Sequence, residues 1–252
     1  MKFFYVSLIL GILFSSCATK KQILYFQDAE QLDYTLIGKA FEPSIEPNDI
    51  LNIDVTGPDA RTLIPYIRSN NRENIAVSSN AGLQGYLVSK DGTIKYPGLG
   101  KVAVGGKTRS QVEAQLSEML LQYLKGVVVD VRIMNFKVTV MGEVARPGVF
   151  PVQNERITLP EALALAGDLT PDGKRGNITV IRNENGRRNV SKIDITRSDF
   201  FNGPYYFLKQ NDVVYVEPTL KGVKKSGFVP DMTSALSLTG ALISLVVIAI
   251  SL

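Results

Sequence analysis

Apolar and polar residues alternate through the middle of this chain, and the period changes at identifiable points. From Ile50 to Val55 the alternation is that of a half-buried strand, entered through a turn at Pro47-Asn48-Asp49. The polar stretch from Pro58 to Gly82 carries no period and reads as a loop. In GYLVSKDGTIKYPGLGKVAVGGKT two short β runs flank Asp91-Gly92, a hairpin signal, and Pro97 with Gly98 ends the second run. The period then lengthens. Val112, Leu116, Met119, Leu120 and Tyr123 recur at helical spacing and predict one buried face. Thr108 with Gln111 predicts a capping box at the start of this helix, and Gly126 predicts its end. Val127, Val129, Val131 and Ile133 fall on one face of the next strand.

The same grammar recurs downstream. Val138 and Val140 alternate with Lys137 and Thr139, and Pro147-Gly148 turns the chain. Thr158 with Glu161 predicts a second capping box, with Pro160 in the first turn and Gly167 at the end of a short helix. Asn185-Gly186 centres a hairpin, and a strand from Val213 to Val216 stops at Pro218. Strands and single helices mix without regular βαβ spacing. The class is therefore α+β: two small sheets, each packing one helix.

The two ends are apolar. Lys2 precedes an apolar run from Phe3 to Phe14, then the small residues Ser15 and Ser16, then Cys17. Such a run is shorter than the ~20 residues of a membrane span and has the form of a secretory signal over residues 1–16. Cys17 is the only cysteine, so no internal disulfide can form. At the other end, residues 232–252 carry no charge and no proline, and a helix of that length matches a hydrocarbon core of ~30 Å. Residues 219–231 read as a loose linker in which Lys221, Lys224 and Lys225 lie near headgroups or in solvent. On a helical wheel Ser237, Gly240, Ser244 and Ser251 fall within about 40° of Thr233. This stripe either lines a lumen or is where helices touch; the alternative is a lone anchor whose Ser and Thr bond their own backbone.

Composition narrows the chemistry. The chain of 252 residues has a formal charge of +4 and no basic cluster interleaved with aromatics, so nucleic acid is not expected as a partner. It has no histidine and no tryptophan. Catalysis through histidine and His-ligated metals are thereby excluded, and no cofactor, metal or enzymatic activity is expected. GGKTRSQ from Gly105 lacks phosphate-loop spacing and reads as a Gly-rich helix entry. Lys174-Arg175 and Arg187-Arg188 read as solvated hairpin charges, with contact to an acidic polysaccharide as the alternative.

FSSCATKK resembles the lipobox of bacterial lipoproteins, with Phe14 where Leu is usual. That resemblance implies cleavage before Cys17, acylation of Cys17 and, from Ala18, retention in the outer membrane. The ordered blocks IEPNDILNIDV, LVSKDGTIKYPGLGKVAVGGKTRSQVEAQLSEMLLQYLKGVVVDVRI, VTVMGEVARPGVFPV and TLPEALALAGDLT resemble the Wza-type family of outer-membrane polysaccharide export proteins. So does the opening with Tyr25-Phe26-Gln27, which is similar to Bacteroidetes lipoproteins of that family. The resemblance implies a lipidated segment at 17–40, a polysaccharide-export domain at 41–134 and one SLBB domain, a β-grasp relative, at 135–218. It also implies a C-terminal transmembrane α-helix after two β-grasp-like periplasmic modules. The function implied is export of capsular polysaccharide or exopolysaccharide by a cyclic homo-oligomer, an octamer. An inner-membrane polysaccharide co-polymerase would deliver the polymer, and membrane lipid would hold both ends. The rival expectation is a membrane-anchored periplasmic adaptor or ligand-binding lipoprotein without a pore.

Overall fold

The computed structural model describes residues 23–31, 41–67, 85–184 and 186–225, and within the C-terminal segment Leu236, Ser237, Thr239, Gly240, Ala241, Ser244 and Ile248. Strand β1 (Ile50–Thr56) buries Leu51, Ile53 and Val55, leaving Asn52 half-buried and Asp54 exposed between them. It pairs antiparallel with β2 (Tyr86–Leu87) on one side and β5 (Val128–Ile133) on the other. Between β1 and β2, where a loop is expected, Ala60–Leu63 forms a short helix, α1, followed by a 3-10 turn at Ile64–Tyr66. Asp59 caps α1 by accepting from the Arg61 N–H at 3.0 Å, a local signal that the absence of a hydrophobic period hides.

The turn at Asp91-Gly92 is present but does not join a hairpin. Before it, β2 pairs with β1; after it, β3 (Thr93–Tyr96) pairs with β4 (Gly100–Ala103) around Pro97-Gly98. Its role is to hold the hairpin down. The Gly92 carbonyl accepts from the Val104 and Gly105 N–H groups at 2.9 and 2.8 Å. A Cβ on Gly105 would lie 2.7 Å from the Gly92 Cα, so the approach needs glycine.

Helix α2 (Arg109–Leu121) begins with the expected capping box, Thr108 and Gln111 bonding reciprocally. Val112, Leu116 and Leu120 are fully buried against the first sheet. Tyr123, expected on the same face, is exposed, because the helix ends at Leu121 rather than running to Gly126.

The second sheet has the order β10-β9-β12-β6-β7: Arg187–Ile193, Gly173–Glu184, Val213–Pro218, Lys137–Gly142 and Gly148–Pro151. The central pair, β6 and β12, is parallel, and every other pairing is antiparallel. A small ladder of β8 (Ile157–Thr158) and β11 (Phe207–Leu208) stands beside it. Helix α3 (Leu159–Leu165) carries the second capping box, Thr158 with Glu161, and buries Leu159, Ala162 and Leu163. Two outer hairpins, a parallel central pair and one intervening helix make the β-grasp arrangement in this module. The fold is thus α+β, but with four hydrogen-bonded sheets among the described residues rather than two.

The parallel pair gives the second module two distinct ends. β6 and β12 both start beside the first module and both run away from it. At the near end Gln210 accepts from the Lys137 N–H and donates to the Asn135 carbonyl, both at 2.7 Å. Asn135 in turn accepts from the Ile50 N–H at 2.9 Å and donates to the Asn48 carbonyl at 3.0 Å. At the far end Gly142 has φ +91°, and a Cβ there would fall 2.1 Å from the Val216 carbonyl oxygen. Pro218 faces Gly173 across the last rung at that end.

Candidate functional site

Of the expected site residues, Cys17, Thr233 and Ser251 lie outside the described residues. Ser237, Gly240 and Ser244 are described, and all three are helical. Ser244 donates its hydroxyl to the Ala241 carbonyl at 2.8 Å, and Thr239 donates to Leu236 at 2.9 Å. These are the bonds of the lone-anchor alternative. Among the described residues no helix is long and apolar enough to cross a membrane.

The residues flanking both expected tethers are well placed, and they converge. On the N-terminal side, Phe26 and Gln27 donate backbone N–H groups to the Ile195 and Thr196 carbonyls at 3.2 and 2.7 Å. Phe26 stacks on Phe200 at 5.6 Å and touches Phe201 at 5.2 Å. Asp28 accepts from the Ser198 N–H at 2.6 Å. Tyr25 donates its hydroxyl to Asp168 at 2.5 Å and lies under the Arg175 guanidinium, 5.2 Å from its ring centre. Burial, then the bond to Asp168, pushes the Tyr25 hydroxyl up to about 12.

On the C-terminal side, the expected loose linker begins with a short helix, α4 (Leu220–Lys225). Its entry is fixed by the Thr219 N–H, which donates to the Asp172 carbonyl at 2.7 Å. Gly222 lies against Asp172, a Cβ there meeting the Asp172 Cβ at 3.0 Å. Asp168 and Asp172 belong to the connection between α3 and β9 and Arg175 is the third residue of β9, all at the far end of the second module. The segments flanking both expected tethers therefore meet beside residues 168–175, at the end opposite the first module.

Arg175 is the residue that sequence reasoning misplaces. It is buried, not a solvated hairpin charge, and its guanidinium donates to the Gly173 carbonyl at 3.0 Å. Lys174 beside it pairs with Glu217 at 3.4 Å. The signal for the docking was Tyr25-Phe26, adjacent aromatics in a segment with no element of its own.

The near end of the module is held by buried charge. Arg182 on β9 meets Asp212 in a two-pronged pair, with contacts of 3.0 and 2.7 Å. Its remaining donors reach the Pro204 and Phe207 carbonyls. Asp49 is buried in the turn before β1 and accepts from the Glu46 N–H at 2.8 Å. Burial pushes its carboxyl up to about 6, against the bonds from Glu46 and Gln210. Glu155 accepts from the Ile133 N–H, and burial raises its carboxyl too. Among the described residues there is no cluster suited to a metal ion.

These features define a class: a two-module α+β protein, the second module β-grasp, with residues 25–28 and 219–222 both docked at the end of that module away from the first. Residues 39–134 match the family described as Polysaccharide biosynthesis/export protein, and residues 136–216 match the SLBB domain. The chain belongs to the Wza-type polysaccharide export family, whose members are export proteins rather than enzymes. Among curated proteins it is similar to the EPS I polysaccharide export outer membrane protein EpsA of Ralstonia solanacearum, 28% identical over 190 residues, which are 73% of this chain and 50% of that protein. The protein of the same name from Ralstonia nicotianae is 28% identical over 189 residues, 72% of this chain and 49% of the relative. The chain thus spans about half the length of the curated relatives it matches.

Proposed function

We propose that this protein is an outer-membrane lipoprotein that exports capsular polysaccharide or exopolysaccharide, acting as a ring of identical subunits. The observation that carries the reading is the convergence of the segments flanking the two expected tethers on residues 168–175. A lipid on Cys17 would reach no more than roughly 28 Å from Tyr25, even along a fully extended chain. The far end of the second module would therefore stand near the bilayer, with the first module projecting into the periplasm. Residues 232–252 would enter the same membrane as a helix, its stripe of Thr233, Ser237, Gly240, Ser244 and Ser251 facing a lumen or a neighbouring helix.

One tethered chain of this size cannot enclose a polymer, so the reading calls for a closed ring built by head-to-tail contacts. The relatives' name, EPS I polysaccharide export outer membrane protein, supports the substrate class and the location. An inner-membrane co-polymerase would feed the polymer to the first module. The bonds of Ser244 and Thr239 to their own helix favour a second reading, an adaptor lipoprotein with a plain anchor helix and no pore.

Deleting the gene and measuring surface polysaccharide tests export directly. Density fractionation and the size of the particle in mild detergent test the rest. The export reading expects lost surface polymer, outer-membrane fractions and a cyclic oligomer. A monomer in the inner membrane, with surface polymer retained on deletion, would leave the adaptor reading standing alone.

A further inference from the structure

The β3–β4 hairpin carries an arrangement that is unfavourable for the protein by itself. Its register sets Lys95 directly opposite Lys101. Both are exposed, and among the described residues neither ammonium has a hydrogen bond or an ion pair. Like charges directly opposed on one face of an antiparallel pair destabilise it. Elsewhere the chain resolves the same problem with a carboxylate: Glu217 lies 3.4 Å from Lys174 and 3.7 Å from Lys192. Among the described residues no carboxylate lies within ion-pair distance of Lys95 or Lys101, although Asp91 is near enough to Lys101 to feel its charge.

The two lysines border a groove of about 410 Å³ on the outward face of the hairpin. Leu87 and Pro97 give it an apolar wall, and Leu87 is 60% exposed. Asp91 is the one carboxylate among the described residues that line it. The Ser89 and Thr93 hydroxyls donate to Asp91, Thr93 at 3.1 Å. Those hydroxyl bonds hold its carboxyl below the usual range, so it stays ionised as an acceptor. The groove thus presents two cations, one anchored acceptor and an apolar wall.

We propose that this groove binds an acidic sugar residue of the exported polymer. Lys95 and Lys101 would hold the sugar carboxylate, Asp91 would accept a ring hydroxyl, and the C–H face of the sugar would lie on Leu87 and Pro97. The inference rests on the export reading and names the class of polymer. A neutral sugar would leave the lysine pair uncompensated. An isolated phosphate would leave the wall and Asp91 unused.

The test is calorimetric titration of the purified full chain with tetragalacturonate, maltotetraose and inorganic phosphate. Tetragalacturonate should bind and maltotetraose should not, and binding should weaken as salt is raised. The double variant Lys95→Gln, Lys101→Gln should lose at least tenfold in affinity. Lys101→Thr should lose affinity while raising the unfolding temperature, because it removes the opposed charge. Absence of binding by the parent chain would overturn the inference. So would equal binding of maltotetraose, displacement of the uronate by an equal amount of phosphate, or affinity unchanged in the double variant. The deletion strain separates the two readings. Surface polymer lost on deletion with no uronate binding defeats this inference alone; surface polymer retained on deletion defeats the export reading.

Discussion

Tyr25 donates its hydroxyl to Asp168 across a sequence separation of 143. That bond, with Phe26 against Phe200 and Phe201, folds the segment after the expected lipid onto the second module. The docked segment is an appendage, so its release should not unfold the domain. Tyr25→Phe removes one hydrogen bond, worth ~1 kcal/mol, and should speed hydrogen exchange at the Gln27 amide about fivefold. Phe26→Ala removes more, ~2 kcal/mol of apolar burial, and should speed it about thirtyfold. Exchange mass spectrometry of the peptide from Ile23 to Gln31 reads both. The unfolding temperature of the modules should stay within a degree or so of the parent's.

Asp49 gives the junction a pH dependence. Its carboxyl is raised to about 6 from an ordinary value of 3.8. Between those values the folded chain holds a proton that the unfolded chain has lost. Stability is therefore highest below about pH 4 for this group and falls as pH rises through 6, by roughly 3 kcal/mol if Asp49 acted alone. Asp49→Asn removes the ionisation and keeps an acceptor for the Glu46 N–H. The variant should exceed the parent in stability by on the order of 1–3 kcal/mol at pH 7.5 and match it near pH 4. Urea titrations at the two pH values check this. A gain of equal size at both would mean that the carboxyl's ionisation is not the cause.

The Arg182–Asp212 pair should behave as a buried pair does when one partner is lost. Asp212→Ala strands a guanidinium that is nearly inaccessible, and it also removes the acceptor of the Lys209 N–H at 2.8 Å. A loss of roughly 3–5 kcal/mol is expected. The double variant Arg182→Met, Asp212→Leu should be milder than Asp212→Ala alone, since no charge is left buried. Its cost will not vanish, because the Pro204 and Phe207 carbonyls lose their donors.

The strands and caps were legible because their causes are local. Leu51, Ile53 and Val55 alternate in the sequence and are buried in the fold, and both capping boxes need only residues three apart. Partner choice was not legible. Asp91-Gly92 is a turn in either case, but whether Tyr86-Leu87 pairs forward with Thr93 or back with Leu51 is decided by the sheet. Tyr123 keeps helical spacing beyond the point where the helix stops, so periodicity alone places it on the wrong face. Arg175 reads as a surface charge, and nothing near Arg182 in the sequence marks it as buried, because the groups that cover them lie far along the chain. Tyr25 covers the first, and Asp212 neutralises the second.

The last prediction concerns Gly240 and Ser244. A Cβ added at Gly240 meets nothing within 4 Å, so a single chain has room for a larger residue there. Ser244 spends its hydroxyl on the Ala241 carbonyl, so replacing it costs the helix little. Leucine at both positions should leave the isolated subunit folded and, by helix propensity, slightly more helical. Any loss of surface polysaccharide in Gly240→Leu, Ser244→Leu must then come from outside the subunit. Two causes fit: a neighbouring helix that needs the close approach small residues allow, or a lumen narrowed by two isobutyl groups. They differ in assembly. A contact defect lowers the fraction of oligomer in mild detergent, whereas a blocked lumen leaves the oligomer intact and stops only export. Leu242→Ile and Leu245→Ile, on the opposite side of the wheel, should change neither. Normal export by the stripe variant at matched protein levels would identify the segment as a plain anchor and place the polymer's path elsewhere.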